Sequence, residues 1–143
     1  MVLGAGLGSD VQMGVIAHEI GHAIGFWHEQ SRPDRDNYVR INSANIEPGK
    51  ENNFNKYDTG TANTYNVPYD IGSIMHYGEK YFSVNGQNTI DALNSDDQAK
   101  MGNRAGLTNA DVTLAKLMYD CPECGAIRLV CRDLRVNANI KKI

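Results

Sequence analysis

The chain lacks any run approaching the roughly 20 apolar residues that cross a bilayer, so no membrane-spanning helix is expected. Its first 13 residues hold no basic stretch and no unbroken apolar stretch, and Asp10 comes early, so they do not read as a signal peptide. Neither sign of charge dominates, with 14 Lys and Arg against 17 Asp and Glu. A nucleic-acid partner held by a broad basic surface is therefore not expected. Fifteen asparagines include no Asn-x-Ser/Thr acceptor, which leaves no glycosylation signal for secretion. Cysteine is scarce and odd in number: Cys121, Cys124 and Cys131 all fall near the end. In an oxidising compartment, an odd count points to a partner elsewhere.

What is present is a chain of ordinary single-domain length, 143 residues. Leu, Ile, Val and Phe supply 31 of them, just above the roughly 20% below which a core is hard to build. Ser9 followed by Gln12 makes a candidate capping box, and Val11, Val15, Ile16, Ile20 and Ile24 recur at helical spacing up to Gly25. This predicts a helix over about 10–24 that Gly25 ends in the left-handed conformation. Residues 31–68 carry scattered Asn, Asp, Gly and Pro and read as a long irregular connection with about one helical turn. A second helix is predicted at about 108–119, capped by Thr108 with Asp111 and stapled by Leu107 on Val112. Val112, Ala115, Leu117, Met118 and Tyr119 are its expected buried face, and Cys121-Pro122 stops it. Residues 125–143 carry a net charge of +4 and residues 1–124 carry −7, so the end of the chain reads as a basic appendage.

The first helix contains His18-Glu19-Ile20-Gly21-His22. Four residues is just over one turn, so both imidazoles leave one face close enough to share an ion. Ala23-Ile24-Gly25-Phe26-Trp27-His28 follows, in which glycine breaks the helix and a turn returns a third imidazole. Three neutral nitrogens leave the fourth position of a tetrahedral zinc open, which is the catalytic arrangement. Glu19, beside the first ligand, is placed to reach a water on the open side. Histidines at helical spacing also occur on ordinary faces. Here, however, three of only four histidines fall into one spaced motif.

The pattern H-E-x-x-H-x-x-G-x-x-H is the metzincin signature. Its continuation from Glu29 through Gln30-Ser31-Arg32-Pro33-Asp34-Arg35-Asp36-Asn37-Tyr38-Val39 resembles the astacin family, as do Ser73-Ile74-Met75-His76-Tyr77 and the stretch from Gly102 to Cys121. The resemblance spans about residues 10–121. It implies a zinc endopeptidase cleaving internal bonds of a protein or peptide substrate by means of a zinc-bound water. His18, His22 and His28 would be ligands, Tyr77 a further ligand and oxyanion donor, and Glu19 the general base and acid. Met75 would be the floor beneath the ion, His76 structural, and Gly25 and Glu29 supporting residues, with Glu29 pairing with a mature N-terminal amine. Arg104 would favour an acidic residue after the scissile bond, an exposed loop arginine being the alternative. The run Arg32, Asp34, Arg35 and Asp36 is either a solvated loop or, as in the family, a set of buried ion pairs.

The expected fold is mainly α with irregular loops: the C-terminal subdomain of a metzincin, zincin-like α+β fold whose N-terminal sheet is largely missing. Residues 1–121 would form a partial catalytic domain and 122–143 a cysteine-containing basic tail. Asp10 stands where many relatives carry a disulfide cysteine. By resemblance, Cys121 would pair with the absent half and Cys124 with Cys131. Half of a zinc ribbon or a redox C-x-x-C is the other reading of Cys121-Pro122-Glu123-Cys124. Resemblance and cysteine usage imply a secreted or extracellular location. A zinc-binding module without turnover is the alternative function, and another metzincin subfamily a weaker one.

Overall fold

The computed structural model describes residues 9–121, with side chains from Met13 onward. The side chains of Ser9 and Gln12, and the tail 122–143 with Cys124 and Cys131, lie outside the described residues. The ordered elements are α1 (Ser9–Ala23), β1 (Val39–Ile41), β2 (Ile90–Ala92) and α2 (Asn109–Met118). Between them run short 3-10 turns at Glu29–Ser31, Arg35–Asn37, Ser43–Asn45, Glu51–Phe54 and Ser95–Lys100. No described helix is long and apolar enough to cross a membrane.

The two helices fall close to the expected bounds, α1 with 15 residues and α2 with 10, and the chain between them forms no further α-helix. The reason is local chemistry between them. Asp58 Oδ1 accepts from Gly60 and Thr61 N–H, Asp70 Oδ1 from Gly72, Asn85 Oδ1 from Gln87, and Asn103 Oδ1 from Ala105. Such side-chain bonds offer the backbone an alternative to the helical ladder and hold it in turns. Among the described residues the strands are β1 and β2, antiparallel with Val39 opposite Ala92 and Ile41 opposite Ile90, and Ile46 and Ser83 form an isolated bridge. Arg40 and Asp91 face each other across the outer side as an exposed ion pair at 3.0 Å.

Two apolar clusters hold the body together. Val39, Ile46, Phe54, Tyr69, Ile71, Tyr77 and Ile90 form one. Phe26, Ile74 and Met75 form the other, with Ala17 of α1 and Leu114, Ala115 and Met118 of α2 packed against it. Burying a side chain as fully as Ile74 or Ile90 contributes about 1.5–3 kcal/mol.

Hydrophobic periodicity alone does not select the faces that the two helices bury. Of the α1 residues from Met13 onward, Gly14, His18 and Gly21 are buried, whereas Ile16 and Ile20, and Ile24 just past the helix, are exposed. Turning the histidine face inward leaves that isoleucine stripe on the outside. On α2, Leu114, Ala115 and Met118 pack inward, while Val112, Leu117 and Tyr119 are exposed, as is Leu107. The expected Leu107–Val112 staple is thus a surface feature. Ile20 and Ile24 line an apolar groove together with Leu107, Val112 and Tyr119.

The start of α2 does more than cap itself. Thr108 Oγ1 accepts from Asp111 N–H, and Asp111 returns the bond to Thr108 N–H, completing the capping box. The same buried carboxylate accepts from Ser73 Oγ–H at 2.6 Å and Ile74 N–H at 3.1 Å. Ser73 Oγ in turn accepts from Met75 N–H at 3.0 Å. Helix cap and methionine-bearing turn therefore share one carboxylate. Asp111→Ala should lower the unfolding free energy by about 2–4 kcal/mol, combining a lost cap with buried donors left unpaired. A urea midpoint at unchanged slope measures this. A loss under about 0.5 kcal/mol, the range of ordinary surface changes, would contradict it.

Candidate metal centre

The first two histidines lie on the inward face of α1, one turn apart. Where α1 ends, Gly25 has φ +95°. Phe26 N–H donates to Gly21 C=O and Gly25 N–H to His22 C=O, the two bonds of a Schellman motif. This turn has a second use, because Phe26 C=O then accepts from His22 Nδ1–H at 2.9 Å. The chain continues extended through His28. Glu29 N–H donates to Met75 C=O at 3.2 Å, which ties the third histidine to the 73–77 turn.

That turn closes with His76 N–H donating to Ser73 C=O. Ile74 C=O accepts from His18 Nδ1–H at 2.7 Å. Met75 is buried, and its sulfur lies against Gly21, where a Cβ would meet it at 2.7 Å. The glycine inside the histidine motif is therefore a close-approach residue that lets Met75 lie directly under the helix.

Three imidazoles converge as a result. His22 Nε2 is 3.1 Å from His18 Nε2 and 3.0 Å from His28 Nε2. The donor atoms of all three lie within 4.8 Å of one another. Among the described residues these form the cluster suited to a metal ion. With the Nδ1 protons of His18 and His22 committed to backbone carbonyls, their Nε2 atoms carry lone pairs that face each other. Facing lone pairs repel unless a cation lies between them. Tetrahedral ligands about 2.0–2.1 Å from zinc are spaced at about 3.3 Å, close to what is found. The residues present fit the ion.

Electrostatics act in the same direction. Burial lowers the pKa of His18, opposed by its bond to Ile74. Burial, followed by the neighbouring His22 and His18, pushes His28 down to about 3. Neutral imidazole is the form that binds metal. Tyr77 packs beside His28 with ring centroids 4.5 Å apart, and burial raises its phenol pKa. Glu19 is exposed on α1.

The remaining expected site residues are distributed as follows. His76 lies outside the cluster, fully buried, with Nδ1–H donating to Tyr77 C=O and Nε2 accepting from Tyr69 O–H. Burial pushes its pKa down to about 4. Arg104 NH1 donates to Ile74 C=O at 2.9 Å and Asn103 C=O at 2.6 Å, and the guanidinium lies over the Tyr81 ring. Glu29 is buried. Its Oε1 accepts from Arg32 at 3.0 Å and from Asp70 N–H at 2.8 Å. Burial drives the Glu29 pKa up to about 7 against the pull of Arg32. Of the charged run, Arg32 bridges Glu29 and Asp34, and Arg35 donates to Gln30 and Phe54 carbonyls. Both arginines are buried, while Asp36 is exposed. The sequence reading missed Gln30 and the second role of Asp111. Neither has a periodic or motif signal beyond the cap at Thr108.

A helix carrying two histidines, a glycine turn returning a third, and a methionine turn beneath them constitute the metzincin arrangement. Comparison with known proteins narrows the class. The astacin peptidase family matches residues 6–120. Protein SpAN of Strongylocentrotus purpuratus is 50% identical over 110 residues, covering 77% of this chain and 18% of that protein. Zinc metalloproteinase nas-13 of Caenorhabditis elegans is 40% identical over 134 residues, covering 93% of this chain and 29% of that protein. The solved structure of high choriolytic enzyme 1, a hatching enzyme zinc-protease of Oryzias latipes, superposes with a TM-score of 0.70 at 46% identity. That match covers 76% of this chain and 52% of the other. The chain belongs to the astacin family, whose cofactor is zinc. It spans less than a third of the length of SpAN and nas-13 and about half of the solved hatching enzyme.

Proposed function

We propose that this chain carries the metal centre of a secreted, extracellular zinc endopeptidase that hydrolyses internal bonds of a protein or peptide substrate. The observation that carries the reading is the convergence of the His18, His22 and His28 Nε2 atoms at 3.0–3.1 Å, with two of the three rings oriented by backbone carbonyls. Zinc held by these three supplies Lewis acidity, polarising a carbonyl and acidifying water. Glu19 takes a proton from the attacking water and delivers it to the departing amine, so the carboxylate is regenerated as the C–N bond breaks. Tyr77, whose phenol form burial favours once it is off the metal, donates to the carbonyl oxygen as it gains charge, a contribution of about 2.7–4 kcal/mol for one such donor. At rest its phenol would be a further ligand. Gly25 sets the turn that returns His28, Met75 supports α1 from below, and Glu29 holds the chain after His28 through Arg32 and Asp70. The family name and the named activities of the relatives support this reading.

Arg104, half-buried with its guanidinium on the Ile74 carbonyl that also orients His18, would favour an acidic residue after the scissile bond. A second reading, metal binding without turnover, draws on the exposed Ile16, Ile20 and Ile24 face of α1. One set of measurements separates them. The purified chain should hold about one equivalent of zinc, as the three-histidine site requires. It should cleave internally quenched peptides, lose that activity to a chelator and regain it with zinc. Peptides with Asp after the scissile bond should be cleaved about tenfold faster than matched Lys peptides, the ~1.4 kcal/mol of a partly exposed charge-assisted contact. Stoichiometric zinc without cleavage would leave only the second reading, and equal rates would remove the role of Arg104.

A further inference from the structure

Gln30, two residues past the third histidine, is completely buried, and its amide is used unevenly. Oε1 accepts from Tyr77 N–H at 3.1 Å, whereas Nε2 has no partner among the described residues. An unpaired buried amide donor is costly, and a methionine of similar length would fill the space without it. Packing alone therefore does not account for a glutamine here.

We infer that Gln30 is a positioning residue for Tyr77, its amide oxygen fixing the backbone so that the phenol stays beside His28. The inference rests on the reading of Tyr77 as a group acting at the metal centre. Tyr77 lies outside every helix and strand, so no regular ladder holds it. Its two backbone groups are instead held by buried side chains: N–H by Gln30, and C=O by His76 Nδ1–H at 2.7 Å. His76 is itself held by Tyr69 O–H at 2.8 Å. One residue before Gln30, Glu29 N–H donates to Met75 C=O, so the segment after His28 grips the turn on both sides of His76. The same short stretch thus joins the third histidine to the tyrosine. Phe54 and Phe82 border the ring with centroids 5.9 and 5.8 Å away. These apolar contacts limit its volume but specify no direction. Direction comes from the backbone, and a small backbone rotation is magnified at the phenol oxygen. Gln30 touches neither metal nor substrate in this scheme and acts through Tyr77.

The test uses the full chain loaded with copper(II) in place of zinc. A visible phenolate-to-copper charge-transfer band that disappears in Tyr77→Phe marks the phenol at the metal. In Gln30→Met the band should shift or lose at least about half its intensity, and kcat of the zinc form should fall by about 10–100-fold with KM nearly unchanged, as expected for a misplaced group. Thermal unfolding of the metal-free protein should change little, because one unpaired buried N–H replaces another. Gln30→Glu, which keeps an acceptor oxygen at the same reach, should restore both band and kcat. Gln30→Asn, which withdraws the oxygen from Tyr77 N–H, supplies the same comparison should the methionine variant fail to fold. A wild-type band and kcat in a folded Gln30→Met or Gln30→Asn protein would overturn the inference while leaving Tyr77 at the metal. Absence of any Tyr77-dependent band in the wild type would instead overturn the reading of Tyr77, and this inference with it.

Discussion

Glu19→Gln should lower kcat/KM for peptide cleavage by about 10²–10⁴-fold, the usual contribution of a positioned general base, while zinc content stays at the wild-type level. Glutamine matches glutamate in size and hydrogen-bonding reach but cannot hold the transferred proton. Glu19 is exposed on α1, so the change disturbs no buried contact and the fold should be unaffected. Its neighbour His18 stays oriented through Ile74 C=O, an interaction in which the carboxylate takes no part. Steady-state kinetics on an internally quenched peptide, with metal analysis of the same preparation, provides the measurement. Retention of more than half the wild-type rate at full zinc content would remove Glu19 from the proton transfer.

His22→Ala should weaken zinc binding by at least about 100-fold, since losing merely an outer-shell partner already costs 10–100-fold. His22 is the central member of the cluster, its Nε2 lying 3.0–3.1 Å from both other nitrogens. Alanine suits a helix interior. The structural loss is confined to one bond to Phe26 C=O, worth about 1 kcal/mol. Competition against a chromophoric chelator reads the affinity directly. Zinc should also raise the melting temperature of the wild type, by linkage, but not that of the variant. Unaltered zinc affinity in a folded His22→Ala protein would locate the ion elsewhere.

The gathering of the three histidines was legible in the sequence because each of its steps is local. The spacing of His18 and His22 follows from 3.6 residues per turn. The return of His28 follows from the positive φ at Gly25 and the two bonds that close the turn there. These steps act within ten residues and need no knowledge of the rest of the chain. Membership in the astacin family was equally legible, because side-chain identities at fixed spacing are what a family motif consists of.

Contacts between distant segments were not legible. Periodicity located α1 through Ile16, Ile20 and Ile24 but did not say which face is buried, and these three are exposed. A helix has several candidate faces, and only the position of the 73–77 turn selects the one carrying histidine and glycine. Asp111 read as a cap and is also the anchor of Ser73 and Ile74, 38 and 37 residues away. Gln30 carried no signal because its partner, Tyr77 N–H, lies 47 residues away. The pairing of β1 with β2 joins Arg40 to Asp91 across 51 residues.

By itself, then, the sequence determined the spacing of the three histidines, the helix that presents two of them, and the family. Only the tertiary structure decided which face of that helix turns inward, what holds Met75 and Tyr77 under and beside the histidines, and where Glu29 and Arg104 find their partners. The physical reason is range. Helical pitch and glycine conformation are properties of a few consecutive residues, whereas burial and the sharing of a carboxylate between a helix cap and a turn exist only once remote parts of the chain have met.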